Sequence, residues 1–311
     1  RGRAAREAHS RMTTTTARFG VGRRESHDAS AFYGRRLFER PNGPAEDVPA
    51  MLAALALNSS RAGAGAANLY PDWAVDALFQ HSSECMFELP DGCVALAVTS
   101  PPYSCGKQYD TDQTLVEYLR LLHRVFRETA RVLVPGGHAA INVAGLGRKP
   151  YVPLQACVTW LLADAGLMPQ GEIIWVKAKG ASGSCAWGTF RSARNPVLRD
   201  AHEYVVIARK PGKRAKGVDT ISKAAFQRGT IAKWYIPAES AKRVGHAAPF
   251  PVELPRRLIE LYAYRNELVL DPFIGSGSTA LAARALQRYF VGYDTDPASI
   301  ALAQRRLAAD G

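Results

Sequence analysis

Cysteine is scarce in this chain and badly placed for covalent or metal chemistry. Five occur in 311 residues, Cys85, Cys93, Cys105, Cys157 and Cys185. They are odd in number, scattered and without a C-x-x-C pair, which excludes a disulfide framework and a zinc site. His123, His138, His202 and His246 lack ligand spacing, so no metal is expected. No apolar run reaches the roughly 18 residues a bilayer span needs, and the Arg- and Thr-rich N-terminus has no signal-type apolar region. No membrane role is expected, and the cytoplasm is the expected compartment. Internal repeats are also missing.

Acidic residues are in deficit. Forty Lys and Arg against 28 Asp and Glu leave a net charge of +12 and a pI near 9.6, the electrostatic signature of a polyanionic partner. The excess is concentrated. Arg209, Lys210, Lys213, Arg214, Lys216, Lys223, Arg228, Lys233, Lys242 and Arg243 crowd into one stretch with Pro211, Gly212 and Gly217. A solvated loop can look similar, but so lopsided a run reads better as a contact region for a phosphate backbone.

Residues 1–30 read as a disordered tail, and 31–75 as a helical segment followed by a Gly/Ala-rich linker. Beyond them, strands and helices alternate. Strands are predicted at Val94 to Val98, His138 to Val143, Glu172 to Val176, Tyr204 to Ala208, Leu268 to Leu270 and Tyr289 to Val291, with a seventh at Ala77 to Gln80. Helices are predicted over Gln113 to Leu133 and Tyr151 to Ala165, with a turn at Pro135-Gly136-Gly137. This alternation predicts an α/β fold, a doubly wound, mostly parallel, seven-stranded sheet whose ligands bind beyond the strand C-termini.

Two loops at such strand ends carry the chemistry. The first, Ser100-Pro101-Pro102-Tyr103, follows the Val94 to Val98 run. A serine and two prolines there can simply terminate a strand. They can also grip an exocyclic amine. The seryl oxygen and the Pro101 carbonyl accept its two N–H bonds, and Tyr103 offers a ring face to an extruded base. Cys105, two residues on, is better read as a loop-filling thiol.

The second loop is Asp271-Pro272-Phe273-Ile274-Gly275-Ser276-Gly277, leading into an Ala-rich helix that Ser278 or Thr279 is expected to cap. Asp294 ends the next apolar run, placed to accept bonds from two ribose hydroxyls. Gly275, Gly277 and Ala280 also satisfy G-x-G-x-x-G/A, and Asp294 lies 19 positions after Gly275, so a nicotinamide cofactor competes. Against it, too little chain follows for a second mononucleotide half. Asp271 would also repel a pyrophosphate, yet it suits the ammonium group of S-adenosylmethionine.

Taken together, these loops resemble those of the amino-group DNA methyltransferases of the permuted kind, in which the target-amine loop precedes the cofactor loop. The Ser-Pro-Pro-Tyr form is similar to the cytosine-N4 branch; adenine-N6 members more often carry Asp or Asn at the serine. His246-Ala247-Ala248-Pro249-Phe250-Pro251 with the helical Leu254 to Tyr262, and Asn195 to Asp200 with His202-Glu203-Tyr204, resemble further family segments. The likeness runs over roughly 76–308. It implies a methyltransferase domain in two halves, 76–209 and 246–311, around a basic target-recognition region, 210–245.

From the resemblance, Ser100, Pro101, Pro102 and Tyr103 are the expected catalytic loop. Asp271, Pro272, Phe273, Gly275, Ser276, Gly277, Thr279, Asp294, Pro249, Phe250 and Ser82 are the expected cofactor contacts, with S-adenosylmethionine as the cofactor. Ser82 departs from the family's usual aspartate, which puts the adenine contact on it, on Ser83 or on Asn142. Expected DNA contacts are Lys107, Lys179, Arg191, Arg194, Arg199, Lys213, Arg214, Lys216 and Lys233. The implied partners are double-stranded DNA at the nucleoid and a cognate restriction endonuclease, with monomer and dimer both open. The absence of a Pro-Cys dipeptide argues against cytosine-C5 methylases, which attack through a thiolate. Remaining alternatives are adenine-N6 methylation, a nicotinamide oxidoreductase and a catalytically silent DNA-binding protein.

Overall fold

A computed structural model describes residues 70–102, 113–146, 151–177, 189–198, 201–239, 244 and 250–310. The predicted tail, the 31–69 helical segment, Tyr103, Cys105, Lys107, Lys179, Arg199 and Pro249 lie outside the described residues.

Among the described residues eight strands form one sheet: β1 (Ala77–Phe79), β2 (Val94–Thr99), β3 (Leu133–Val143), β4 (Met168–Val176), β5 (His202–Arg209), β6 (Lys233–Tyr235), β7 (Leu268–Asp271) and β8 (Tyr289–Tyr293). Their order is β1-β8-β7-β2-β3-β5-β4-β6. Every neighbouring pair is parallel except those made by β5, which runs antiparallel to both β3 and β4. The doubly wound α/β prediction holds, with one strand more than expected.

The addition is β6, inside the basic stretch. Only Trp234 of its three residues is buried, the indole N–H donating to the Gly229 carbonyl at 3.1 Å. A three-residue strand with one apolar inward side chain has too little pattern to be seen in sequence. The predicted turn at Pro135-Gly136-Gly137 is instead a bulge within β3: the register steps from Val94↔Leu133 to Leu96↔His138. Gly136 takes φ +77° there, which glycine adopts without strain.

Helices cover both faces. On one lie α1 (Leu115–Val132) and α2 (Leu154–Asp164); on the other lie α4 (Glu253–Tyr262), α5 (Ser278–Ala285) and α6 (Pro297–Ala309), with the short α3 (Lys223–Gly229) packed on α4. Helix α1 starts at a capping box, in which Glu117 N–H donates to Thr114 Oγ1 and Thr114 N–H to Glu117 Oε2. Its Tyr118, Leu122 and Phe126 enter the first core with Val94 and Ala97 of β2. Leu96 and Val98, pointing the other way, join Val269 and the α4 and α5 side chains in the second. Alternation over Leu96 to Val98, with a register step after Val94, thus splits one fully buried strand between two cores.

Between β2 and β7 the winding reverses: the chain leaves β2 toward β3 and leaves β7 toward β8. That is a topological switch point, where ligands of open α/β sheets bind beyond the strand C-termini.

Candidate active site

The two loops singled out from sequence emerge side by side at this switch point. β2 and β7 pair in parallel with Ala97 opposite Leu270, so Thr99-Ser100-Pro101 and Asp271-Pro272 leave the sheet at one edge. Pro101 is buried, while Ser100 and Pro102 are partly exposed.

Asp271 is the electrostatic centre of the cofactor-type loop. It is 4% exposed, its Oδ2 accepts from Thr279 Oγ1 at 2.6 Å, and its Oδ1 accepts from Phe273 N–H at 3.1 Å. Burial pushes its carboxyl up to about 6, an effect that the Thr279 and Thr99 hydroxyls reduce. Thr99, the last residue of β2, is buried and directly precedes Ser100. No cation pairs with Asp271 among the described residues.

Thr279 is therefore not the expected helix cap. α5 begins at Ser278 behind Gly277, which caps with no side chain and takes φ +80°. With Thr279 spent on Asp271, the helix's first amides face the loop unfilled by a side-chain cap. A Cβ on Gly277 would stand 2.9 Å from that of Ala303 on α6, so both φ and space require glycine. Phe273 and Gly275 are partly exposed, whereas Pro272 and Ser276 are buried.

Asp294, at the end of β8, folds over the same loop. Its Oδ2 accepts from Gly275 N–H at 3.0 Å and its Oδ1 from Asp296 N–H at 2.9 Å. Each carboxylate oxygen has a second lone pair, and the group is partly exposed. Arg306 of α6, which no sequence motif singles out, donates to the Ser276 carbonyl at 2.5 Å and to Ser276 Oγ at 3.0 Å. It anchors the turn from behind.

The segment after β1 divides its two serines. Ser83 Oγ donates to the Pro272 carbonyl at 2.8 Å, fixing the loop. Ser82 Oγ donates to Glu84 at 3.0 Å and stays partly exposed. Glu88, also unforeseen, accepts from Tyr293 OH at 3.2 Å and lies 2.5 Å from His81 Nε2. Phe250 packs edge-on against Trp175, ring centroids 6.5 Å apart.

The expected DNA-contact residues separate by exposure. Arg191, Arg194, Lys213, Lys216 and Lys233 are at the surface, Lys233 over the Tyr235 ring. Arg214 is not. Its guanidinium pairs with buried Glu267 and donates to the Tyr262 carbonyl at 2.6 Å. Lys210, from the same run, is likewise turned inward, onto the Leu133 carbonyl at 2.6 Å. Arg214→Ala should therefore lower unfolding stability by about 3 kcal/mol, because it strands a buried carboxylate. Chemical denaturation reads this; an unchanged midpoint would return Arg214 to the surface set.

Comparison with known proteins decides the family. The DNA methylase family model, which spans N6 and N4 enzymes, matches residues 94–305, more than half of the chain and both loops. The chain belongs to this DNA methylase family. Among its relatives is the type II methyltransferase M.MjaI of Methanocaldococcus jannaschii, 27% identical over 276 residues covering 72% of this chain and 91% of that one. A Thermus thermophilus protein solved in complex with S-adenosyl-L-methionine is 29% identical, with a TM-score of 0.62, 76% of this chain covered and 94% of that one. The PvuII cytosine-N4-specific DNA methyltransferase shares the fold at a TM-score of 0.59 and 18% identity, covering 75% and 86% of the two chains. Within this family the nicotinamide alternative loses its footing, since the glycine turn falls inside the family match. No helix of the described residues is long and apolar enough to cross a membrane.

Proposed function

We propose that this DNA methyltransferase is of the permuted kind and methylates the exocyclic N4 amine of a cytosine extruded from duplex DNA, with S-adenosylmethionine as the methyl donor. The observation that carries the reading is the emergence of Ser100-Pro101-Pro102 beside the Asp271 loop at the switch point, on the paired strands β2 and β7.

The donor-side residues suit that cofactor. Asp271, a buried carboxylate held by the Thr279 hydroxyl and the Phe273 amide and, among the described residues, not by a cation, suits an ammonium group. Asp294, partly exposed over the Gly275 to Gly277 turn that it braces, suits a ribose diol, and Ser82 is a partly exposed hydroxyl of the segment after β1. Pro249 and Phe250 complete this side. When bound, the donor supplies a methyl carbon made electrophilic by its sulfonium.

The chain's own residues handle the amine. Its lone pair is delocalised into the base ring, so Ser100 Oγ and the Pro101 carbonyl accept the two N–H bonds and draw the nitrogen toward tetrahedral geometry. Tyr103 stacks on the extruded base. Holding the nitrogen in line supplies most of the acceleration. The methylated amine is then acidic enough to release its proton to water, so no strong general base is needed. Residues 76–209 and 246–311 act as the two halves of the domain. The 210–245 region, with Lys213, Lys216 and Lys233, meets the DNA backbone together with Arg191 and Arg194; Lys107, Lys179 and Arg199 complete the set.

Asp271 makes a pH prediction. An ammonium ligand favours its ionised form, so binding releases the proton held below about pH 6. Cofactor affinity should rise about tenfold between roughly pH 5 and pH 7 and then level off. Calorimetric titration of Asp271→Asn should show that slope gone; a slope equal to that of the parent protein would remove Asp271 from the site.

Nucleoside mass spectrometry of DNA from a host expressing the chain tests the base and atom together. N4-methylcytosine is the expected product. N6-methyladenine, the second reading, would overturn the cytosine assignment while leaving the donor side intact.

A further inference from the structure

Behind Ser100 lies a polar relay that the proposed transfer does not use. Asn142, near the end of β3 and 1% exposed, donates from Nδ2 to Ser100 Oγ at 3.3 Å and to Glu203 Oε2 at 2.7 Å. Glu203, 3% exposed, pairs through Oε1 with Lys177 Nζ, which follows β4 and lies 4.9 Å from the Trp175 ring centroid. Glu203 reaches this place because β5 is antiparallel: its first residues stand at the edge where its neighbours β3 and β4 end.

The chemistry of the relay runs one way. A carboxylate only accepts, so the Asn142 atom facing Glu203 must be its amide nitrogen. That nitrogen has two hydrogens diverging by roughly 120°, and the second points at Ser100. Glu203, tethered by Lys177, thereby prevents the amide from turning its oxygen toward the serine. Ser100 Oγ is thereby held from the β3 side as an acceptor of the Asn142 amide.

We infer that Asn142 and Glu203 are positioning residues that fix the rotamer of Ser100 so that its oxygen is presented as an acceptor to the target amine. This rests on the reading of Ser100 given above. Losing the lock leaves the loop and the donor site in place but lets the hydroxyl rotate, and a misplacement of about 1 Å costs up to about 10²-fold in rate.

The test is a double-mutant cycle read by single-turnover methyl transfer with radiolabelled S-adenosylmethionine. Asn142→Ala and Glu203→Gln should each lower the rate about tenfold, with cofactor Kd within twofold of the parent. In a Ser100→Ala background, Asn142→Ala should cause no further loss, whereas a merely structural role would multiply the two effects. Glu203→Gln removes the carboxylate that Lys177 pairs with. Should that variant unfold, the double change Lys177→Gln with Glu203→Gln removes both charges while still allowing the amide to turn. It should show the same tenfold loss. Unchanged rates in the Asn142 and Glu203 variants alongside a crippled Ser100→Ala would overturn the relay alone. Unchanged rates in all of them would overturn the Ser100 reading beneath it.

Discussion

Ser100→Ala is expected to lower the methyl-transfer rate by about 10²-fold or more while leaving S-adenosylmethionine affinity within twofold. The magnitude is that of removing one oriented hydrogen-bond partner whose interaction strengthens as the reacting group changes its charge and geometry. The split between rate and affinity follows from position. Ser100 directly follows β2, whereas the proposed donor contacts lie on β7, β8 and the segment after β1. Removing the hydroxyl takes an acceptor from the amine and a partner from Asn142. It removes nothing from Asp271, whose oxygens are held by Thr279 and Phe273. Single-turnover transfer beside a calorimetric Kd separates the two quantities. A variant that turns over at the parent rate would end the assignment of this loop.

Asp294→Ala has the complementary effect. Two ribose hydroxyls donating to a carboxylate contribute about 1.5 kcal/mol each, so their loss weakens donor affinity by roughly 10²-fold. The side chain also holds Gly275 and Asp296 by their backbone N–H groups, so the turn it braces loosens and thermal stability falls modestly with it. The rate at saturating donor should change far less than the affinity, because Asp294 lies away from the amine loop. Affinity within twofold of the parent would strip Asp294 of the ribose role and leave it only the loop-bracing one.

Much of the architecture is written in local pattern. Val94 to Val98 and Leu268 to Leu270 are apolar runs ending in residues that cannot continue a strand, so both loops are visible in sequence. The donor side is legible for the same reason: Gly275 and Gly277 answer a demand for positive φ that sequence itself displays. Charge was less reliable. Arg214 and Lys210 belong to a strongly basic run, yet long side chains can reach inward to a carboxylate or a carbonyl, and composition carries no record of which way they turn. β4 begins at Met168, earlier than its apolar pattern suggests, since Met168 to Glu172 is exposed and includes Pro169 and Gly171.

By itself, then, the sequence determined the alternating α/β plan and the two strand-end loops to which the proposed amine and donor contacts belong, because those features depend on neighbours a few positions apart. Only the tertiary structure decided what surrounds them. The antiparallel direction of β5 carries Glu203 to Asn142 and so to Ser100; the packing of α6 brings Arg306 to Ser276; Thr279 turns from helix cap to partner of Asp271. These contacts join residues from different strands and helices, and strand direction and helix packing are settled by burying two whole cores at once, a condition that no short stretch of chain contains.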